Sequence, residues 1–190
     1  DLPGVEAYFE EMRDVAPDAL IISDPGVFAI ARRVLPHMEI HISTQANNTN
    51  YGTYLFWHGL GARRVVSARE LSLAEIREIR DRIPQDMQIE SFIHGAMCIS
   101  YSGRCLLSNY FVGRDANQGA CTHPCRWKYS LVEETRPGEY MPVYENERGT
   151  YIFNSKDLCM VEYIPEMMDA GIDSFKIEGR MKTALYVATV

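Results

Sequence analysis

Short apolar segments that begin near residues 19, 39, 63 and 88 recur along the first half of the chain. Each is followed by a polar turn and then by apolar residues at helical spacing, so a strand–helix unit repeats every ~20–25 residues. Such units build either an open doubly wound sheet or a (β/α)8 barrel. No glycine-rich phosphate loop follows a strand, and polar residues stand at the carboxyl ends of all four strands. The pattern therefore favours an α/β fold of the TIM-barrel type.

Local signals mark several helix starts. Asp24 precedes Pro25, which predicts an N-cap followed by proline at the first helical position. Ser72 and Glu75 have the spacing of a capping box. Apolar residues at helical spacing also predict a helix over Pro3–Ala16.

The strand–helix rhythm breaks after residue 95. We expect residues 1–95 to form βα units of the barrel, residues 96–150 to form a cysteine-rich insertion containing a hairpin or loop, and residues 151–190 to resume the barrel. The resumed part should contain a helix over Leu158–Ala170 and a strand over Ser174–Ile177. Five strands are too few for an eight-stranded barrel, so the barrel is expected to be truncated at both ends.

Composition narrows the class of protein. The chain of 190 residues is 46% hydrophobic, which suits one sizeable core. It contains no apolar run long enough to cross a membrane, and nine methionines with an odd number of cysteines favour the reducing cytoplasm. The net charge of -7 argues against a protein that coats nucleic acid backbones, although it allows a local basic groove.

The cysteines are distributed in a way that a hydrophobic core does not require. Cys98, Cys105, Cys121 and Cys125 lie in one stretch, and Cys159 follows after a gap. Structural zinc sites use tightly spaced pairs of cysteines, and only Cys121 and Cys125 come close to that spacing. Iron–sulfur clusters accept wider spacing because several irons span the site. The spacing favours a metal or cluster, with reactive or merely buried thiols as the alternative.

Several side chains near predicted strand ends are candidates for catalysis. His94 could act as an acid or base at the barrel mouth, and His41 alternates with two isoleucines and so could point into the barrel. Lys176, Glu178 and Arg180 follow or end the last strand. The structural alternatives are hydrogen-bonded histidines and an ordinary ion pair.

A second set is predicted to bind substrate. Gln45 and Asn47 follow the second strand and could hold a polar ligand, although such residues are also common in turns. Arg104, Arg114 and Arg126 could clamp a carboxylate or phosphate, offset the negative charge of a cluster, or lie on the surface. Four aromatic residues between positions 51 and 57 have helical spacing and are interpreted as core rather than as a surface for stacking bases.

A long signature covers Glu90–Ser108 and reads Glu-x-Phe-x-x-Gly-Ala-Met-Cys-x4-Gly-x-Cys-x-Leu-Ser. With the stretches Gly113–Cys121, Pro124–Trp127, Phe153–Asp157 and Lys176–Arg180, it resembles the collagenase-like peptidase family U32. The resemblance extends from about residue 21 to the end of the chain. It implies the catalytic barrel of that family, without its first strands and its C-terminal extension.

The resemblance also implies a chemistry. Some relatives in this family are oxygen-independent hydroxylases that hold a [4Fe-4S] cluster on four cysteines, use prephenate-linked chemistry, and modify a tRNA uridine, an rRNA cytidine or a quinone precursor. The tRNA branch is the most similar. By the family pattern the ligands are Cys98, Cys105, Cys121 and Cys159, and Cys125 is a further thiol that could replace one of them.

The resemblance therefore predicts a tRNA-modifying enzyme that takes prephenate as co-substrate and works alone or with a paralogous subunit. The alternatives are a peptidase with collagenase-like activity and a non-catalytic domain stapled by zinc. The peptidase alternative lacks both a His-Glu-x-x-His motif and a Gly-x-Ser-x-Gly elbow.

Overall fold

Strands and helices alternate through the first 95 residues of the computed structural model, as the spacing predicts. The structure describes residues 1–127, 129–142, 145–146, 149–150 and 157–190. The elements of this first part are α1 (Leu2–Val15), β1 (Ala19–Ile22), α2 (Pro25–Val34), β2 (Glu39–Ile42), α3 (Tyr51–Gly59), β3 (Arg64–Val66), α4 (Leu73–Arg82) and β4 (Gln88–Gly95).

The remaining described elements are shorter. They are α5 (Leu107–Val112), β5 (Ser130–Leu131), β6 (Met141–Pro142), β7 (Glu145–Asn146), β8 (Gly149–Thr150), β9 (Leu158–Cys159), α6 (Ile164–Asp169), β10 (Ser174–Ile177) and α7 (Ala184–Thr189). The predicted excursion is confirmed as a hairpin, because β5 and β6 pair antiparallel on either side of it. The boundary predicted at residue 150 borders residues that the structure does not describe. Most of the Phe153–Asp157 motif lies outside the described residues.

The main sheet has the order β1-β2-β3-β4-β10, with β9 attached to β4. The pairs from β1 to β4 are parallel and in register from Ala19↔Glu39 onward, whereas β9 is antiparallel to β4. An α/β fold with a parallel sheet is thus confirmed. The described strands do not close into a barrel.

Alternation along the strands gives the sheet one apolar and one more polar face. Ile40, Ile42, Val65 and Ile89 are fully buried in a core that also contains Phe9 of α1 and several residues of α2. The opposite face combines polar residues such as His41 and Glu90 with apolar ones such as Val66 and Phe92. Helices α1 to α4 pack on the core face.

The helix starts follow the local signals. The Asp24 carboxylate accepts the Val27 N–H at 2.9 Å, with Pro25 in the first turn of α2. The Ser72–Glu75 capping box forms in both directions. These contacts satisfy backbone N–H groups that a helix cannot satisfy by itself.

The helix predicted over Leu158–Ala170 is wrong in its first half. Leu158 and Cys159 form β9, a 3₁₀ turn follows at Val161–Tyr163, and α6 begins only at Ile164. Pro165 explains the late start, because proline fits the first turn of a helix and not its interior.

Contacts divide the chain into two units. The first unit comprises Asp1–Ile93 with Met160–Lys176, and the second comprises His94–Cys159 with Ile177–Val190. The predicted division at residues 95 and 150 stays a prediction. The described residues form no helix with the length and apolar character needed to span a membrane.

Candidate functional site

The polar face of the first unit is centred on the carboxylate of Glu90, whose side chain is only 10% exposed. Its Oε2 accepts hydrogen bonds from Arg64 Nη1 and from Ser174 Oγ, both at 3.0 Å. Its Oε1 accepts from Lys176 Nζ at 3.2 Å. Arg64 Nε also donates to Gln88 Oε1 at 2.8 Å. Three neighbouring strands thus hold one buried carboxylate.

The charge state of Glu90 follows from this setting. Burial alone would raise the pKa of Glu90, but the Lys176 charge and the hydrogen bonds from Ser174, Lys176 and Arg64 together lower it below its ordinary value. Glu90 is therefore an anion at neutral pH. The cations around it form a fixed polar wall and not a free anion-binding site.

Lys176, a predicted catalytic residue, belongs to this wall. Its ammonium lies 3.2 Å from Glu90 Oε1 and 5.9 Å from the centre of the Phe92 ring. The Arg69 guanidinium lies over the same ring at 3.9 Å. Phe92 thus carries a cation on its face, which stabilises both groups.

The residues predicted on β2 and after it lie in the same unit. His41 is buried, and its Nε2 lies 2.7 Å from Oε1 of Glu39, two residues away on the same strand. Gln45 lies in a 3₁₀ turn, Thr44–Ala46, and Asn47 ends that turn with a positive φ of 54°. The Asn47 Oδ1 atom is buried and accepts no hydrogen bond from the described residues. A buried acceptor without a hydrogen bond is energetically costly, so this atom is suited to accept a hydrogen bond from a ligand.

All five cysteines lie in the second unit, and all are free thiols. Cys98 and Cys159 are exposed, Cys105 and Cys121 are partly buried, and Cys125 is buried. Within the described residues, no three His, Cys, Asp or Glu side chains are grouped so that they could hold a single metal ion. The thiols are nevertheless close enough to act on one another electrostatically.

Burial raises the pKa of the Cys121 thiol, and Cys105, Cys98 and the Glu178 carboxylate raise it further. A hydrogen bond from the His123 N–H, at 3.4 Å from Cys121 Sγ, acts in the opposite direction. Two thiols and a carboxylate therefore share the surroundings of Cys121. Such a site is favourable for thiolates only when a cation joins them.

Cys125 shares these surroundings. Burial raises the pKa of its thiol, the Arg126 guanidinium lowers it, and Cys98, Cys121 and Cys105 raise it again. Cys98, Cys105, Cys121 and Cys125 are thus close enough for the charge of one thiolate to act on another, and Cys125 is the member that the sequence left undecided. Cys159 instead pairs with His94 across the two strands β4 and β9.

His94 is fixed by its neighbours in the second unit. Its Nδ1 lies 2.8 Å from the hydroxyl of Tyr186, which donates to the Glu178 carbonyl oxygen at 3.4 Å. The Nε2 atom has no hydrogen bond within the described residues, so it is the ring nitrogen that a ligand could reach.

Glu178 and Arg180 pack against glycines of the cysteine-rich stretch. The Glu178 backbone N–H donates to the His94 carbonyl oxygen at 2.9 Å. A Cβ on Gly95, where φ is 124°, would come within 2.6 Å of Glu178 Cβ. The Arg180 guanidinium similarly occupies the space that a side chain at Gly119 would need. These glycines are required by close approach.

The three arginines predicted to bind an anion differ from one another. Arg126 Nη1 forms an ion pair with Asp157 Oδ1 at 2.5 Å, and its Nη2 donates to the Met97 carbonyl oxygen at 3.3 Å. Arg126 is therefore a structural residue of the second unit. Arg104 and Arg114 are exposed, and no carboxylate of the described residues pairs with either.

Sequence reasoning missed Glu90 and Tyr186 as site residues. A carboxylate in an otherwise buried strand was the available signal for Glu90, because such a group is costly unless it is paired. Nothing in the sequence marks Tyr186, which is one of several apolar and aromatic residues in the last helix.

Comparison with known proteins identifies the family. The sequence profile described as Peptidase family U32 matches residues 1–190. The chain is 44% identical to tRNA hydroxylation protein P of Escherichia coli, covering 92% of this chain and 47% of that protein. It is 46% identical to tRNA hydroxylation protein P1 of Bacillus subtilis, covering 100% of this chain and 44% of that protein. A solved U32 peptidase structure superposes with a TM-score of 0.48 at 17% identity, covering 75% of this chain and 56% of that one.

The chain belongs to peptidase family U32, because the family profile matches its full length. The chain spans about half the length of the curated relatives that it matches.

Proposed function

We propose that the protein to which this chain belongs is an oxygen-independent hydroxylase of a tRNA uridine, with a [4Fe-4S] cluster as cofactor and prephenate as co-substrate. Family membership and the two relatives named for tRNA hydroxylation support the reaction class. The observation that carries the proposal is the group of thiols in the second unit. A peptidase needs one nucleophile, and four neighbouring thiols exceed that need.

The donor set fits the proposed cofactor in its chemistry. Soft thiolates are the ligands of iron–sulfur clusters. Burial, and to a smaller extent the neighbouring thiols, raise the pKa of Cys121 and Cys125, and the positive charge of bound iron would offset both effects. Cys98, Cys105 and Cys121 would hold the cluster, with Cys159 as the fourth ligand or Cys125 in its place. When bound, such a cluster supplies one-electron chemistry.

The chain's own residues then have distinct parts. His94 would accept a proton at Nε2, since Tyr186 holds its Nδ1 at 2.8 Å. Arg104 and Arg114 are exposed cations that could bind a carboxylate or phosphate. Asn47 offers a buried acceptor to a ligand donor. Replacement of a uridine C–H by C–OH is a two-electron oxidation that also requires one oxygen atom. We propose that prephenate supplies both: its ring C–OH bond would break as the uridine C–OH bond forms, and prephenate would be reduced by two electrons to the corresponding C–H compound.

The fold of the whole protein is proposed to be a TIM-type barrel. The described parallel strands follow one another in the sheet without the reversal of order that a doubly wound sheet has. The polar face of the sheet, with Glu90 held among Arg64, Ser174 and Lys176, would then line the barrel interior. We further propose a cytoplasmic location and retain a paralogous subunit as a predicted partner.

The test uses full-length protein prepared without oxygen. Iron and acid-labile sulfide are measured, and tRNA is digested to nucleosides for mass spectrometry after incubation with and without prephenate. We expect a brown protein, four irons per chain, and a uridine that gains one oxygen only with prephenate. Cys98→Ser should lose both colour and product, whereas Ser130→Ala, at an exposed position of β5, should keep both. A colourless zinc protein, or collagen cleavage that survives loss of all four predicted ligands, would refute the proposal.

A further inference from the structure

A group of aromatic rings lies on the surface of the second unit. It consists of Tyr110 and Phe111 from α5 with Trp127 and Tyr129 from the segment after Cys125, and we call it the aromatic platform. The Phe111 ring lies 5.9 Å from the rings of both Trp127 and Tyr129, and Trp127 stacks on Tyr129 at 6.4 Å with an interplanar angle of 23°. Tyr110 contacts Phe111 edge-on at 5.3 Å.

Three of the platform's rings are exposed: Tyr110 is 81% exposed, Phe111 44% and Trp127 45%. Of the four aromatic residues between positions 51 and 57 that were predicted as core, Tyr54 and Trp57 are buried, at 0% and 5% exposed. The prediction is wrong for Tyr51 and Phe56, which are 38% and 57% exposed, but within the described residues neither belongs to a cluster of four rings such as the platform. Contiguous exposed apolar surface on a soluble protein marks a place where another molecule binds.

The backbone beneath the platform is fixed. Ser108 of α5 is completely buried, and its Oγ accepts the Thr122 N–H at 3.1 Å. The Tyr129 hydroxyl donates to the carbonyl oxygen of Pro124, which is also buried, at 2.7 Å. The two chain segments that carry the rings are therefore held in place before any ligand arrives, which lowers the entropic cost of binding.

The unit that carries the platform is close to neutral in an otherwise acidic protein. The second unit carries nine basic and eight acidic side chains, whereas the first unit carries ten basic and eighteen acidic side chains. Arg114 lies two residues after α5 and is exposed without a carboxylate partner among the described residues. An unpaired cation beside exposed rings fits a surface for single-stranded nucleic acid.

We propose that the aromatic platform stacks unpaired bases of the RNA substrate, and that Arg114 contacts the adjoining phosphates. This inference rests on the proposed function, which supplies an RNA as the substrate. Unpaired nucleotides fit better than a duplex, because a stacked base needs an open ring face. An anionic partner also fits the exposed Arg114, which has no carboxylate partner among the described residues, and a protein partner is one of the outcomes that the test separates.

The test measures RNA binding by the full-length protein, prepared without oxygen, through the fluorescence anisotropy of a labelled RNA hairpin with a single-stranded loop. Trp127→Ala and Phe111→Ala should each raise Kd about 5- to 150-fold, the range for loss of one stacked base. Trp127→Phe keeps a ring and should restore most of the affinity. Tyr8→Ala is the matched control, because Tyr8 is 58% exposed in the first unit and should have no effect.

Two further measurements separate the outcomes. Arg114→Ala should weaken binding at every sequence and reduce the slope of log Kd against log salt by about one. A blunt RNA duplex without a loop should bind weakly and respond little to Trp127→Ala.

Unchanged affinity of the Trp127→Ala and Phe111→Ala variants, with wild-type protein binding and hydroxylating RNA, would overturn the platform alone. Loss of a co-purifying protein with unchanged RNA affinity would do the same. Wild-type protein that neither binds nor hydroxylates RNA would overturn the proposed function as well. Circular dichroism melting checks that each variant is folded.

Discussion

The Glu90→Gln substitution tests the buried polar wall of the first unit most directly. Glutamine keeps the shape and one acceptor oxygen, but it removes the charge that Arg64 and Lys176 neutralise and places an amide N–H₂ against one of these cations. Breaking a fully buried ion pair costs about 3–5 kcal/mol. Arg64 and Lys176 are 24% and 31% exposed, so water can relieve part of the loss. We therefore expect the free energy of unfolding to fall by about 2–4 kcal/mol.

The assay is urea unfolding of the anaerobic protein followed by circular dichroism. Glu78→Gln is the matched control, because Glu78 pairs with Arg82 across one helical turn at the surface, at 3.1 Å, and its loss should cost roughly 0.3–0.5 kcal/mol. The pH dependence has a definite sign. The pKa of Glu90 is lowered in the folded protein, so its contribution is present above the ordinary pKa of 4.5 and is lost as the pH falls through the folded value.

The difference between wild type and Glu90→Gln should accordingly shrink in acid. A Glu90→Gln variant that unfolds within about 0.5 kcal/mol of wild type at neutral pH would refute the reasoning, because it would mean that the three hydrogen bonds contribute nothing beyond those of the unfolded chain. A difference that grows in acid would contradict the lowered pKa.

Three further substitutions probe the backbone and the core. Gly95→Ala should lower the melting temperature markedly, since its Cβ would lie 2.6 Å from Glu178 Cβ at a φ of 124°, whereas Gly59→Ala, which meets nothing within 4 Å, should be neutral or slightly stabilising. Tyr54→Phe should cost about 1 kcal/mol in urea unfolding by deleting the hydrogen bond to Ser67. Burial raises the pKa of Tyr54 to about 12, so its contribution to stability is full below pH 10 and is lost as the pH rises above 10. The free energy of unfolding of Tyr54→Phe should therefore fall less in alkali than that of wild type. Equal dependence of the two unfolding free energies on alkaline pH would contradict this. Ser72→Ala should cost about 1 kcal/mol by removing the cap of α4, and an unchanged urea midpoint would show that the capping box contributes nothing.

Local features were predictable because their causes lie within a few residues. The cap at Asp24 and the box at Ser72 each need only the next three residues, and the strand positions follow from apolar runs between turns. Pro165 was a local signal for the later start of α6 that the periodicity argument overlooked. The strand at Leu158 could not be predicted in this way, because it depends on the pairing of Cys159 with the distant His94.

The Glu90 wall shows the same limit for the site. Arg64 and Lys176 lie 26 and 86 residues from Glu90 along the chain, and only the sheet order brings them to one carboxylate. The alternation argument did predict that His41 leaves the apolar core face, but it did not show that Glu39, two residues earlier on the same face, pairs with it. The face on which a strand residue lies can be predicted from the sequence, but the residues that it contacts across the sheet cannot.

The fourth ligand of the proposed cluster gives the last prediction. Cys125 is buried in a 3₁₀ turn whose neighbour Arg126 is anchored to Asp157 and to the Met97 carbonyl oxygen, so its thiol has little freedom to move. Cys159 is exposed on β9, which pairs with β4 through two residues only, so a small shift could bring it to iron. We therefore expect Cys159→Ser to lose iron and sulfide and Cys125→Ser to retain them in anaerobic full-length protein. The opposite result would assign the ligand to Cys125, because it would show that the buried thiol grouped with Cys98, Cys105 and Cys121 binds without rearrangement.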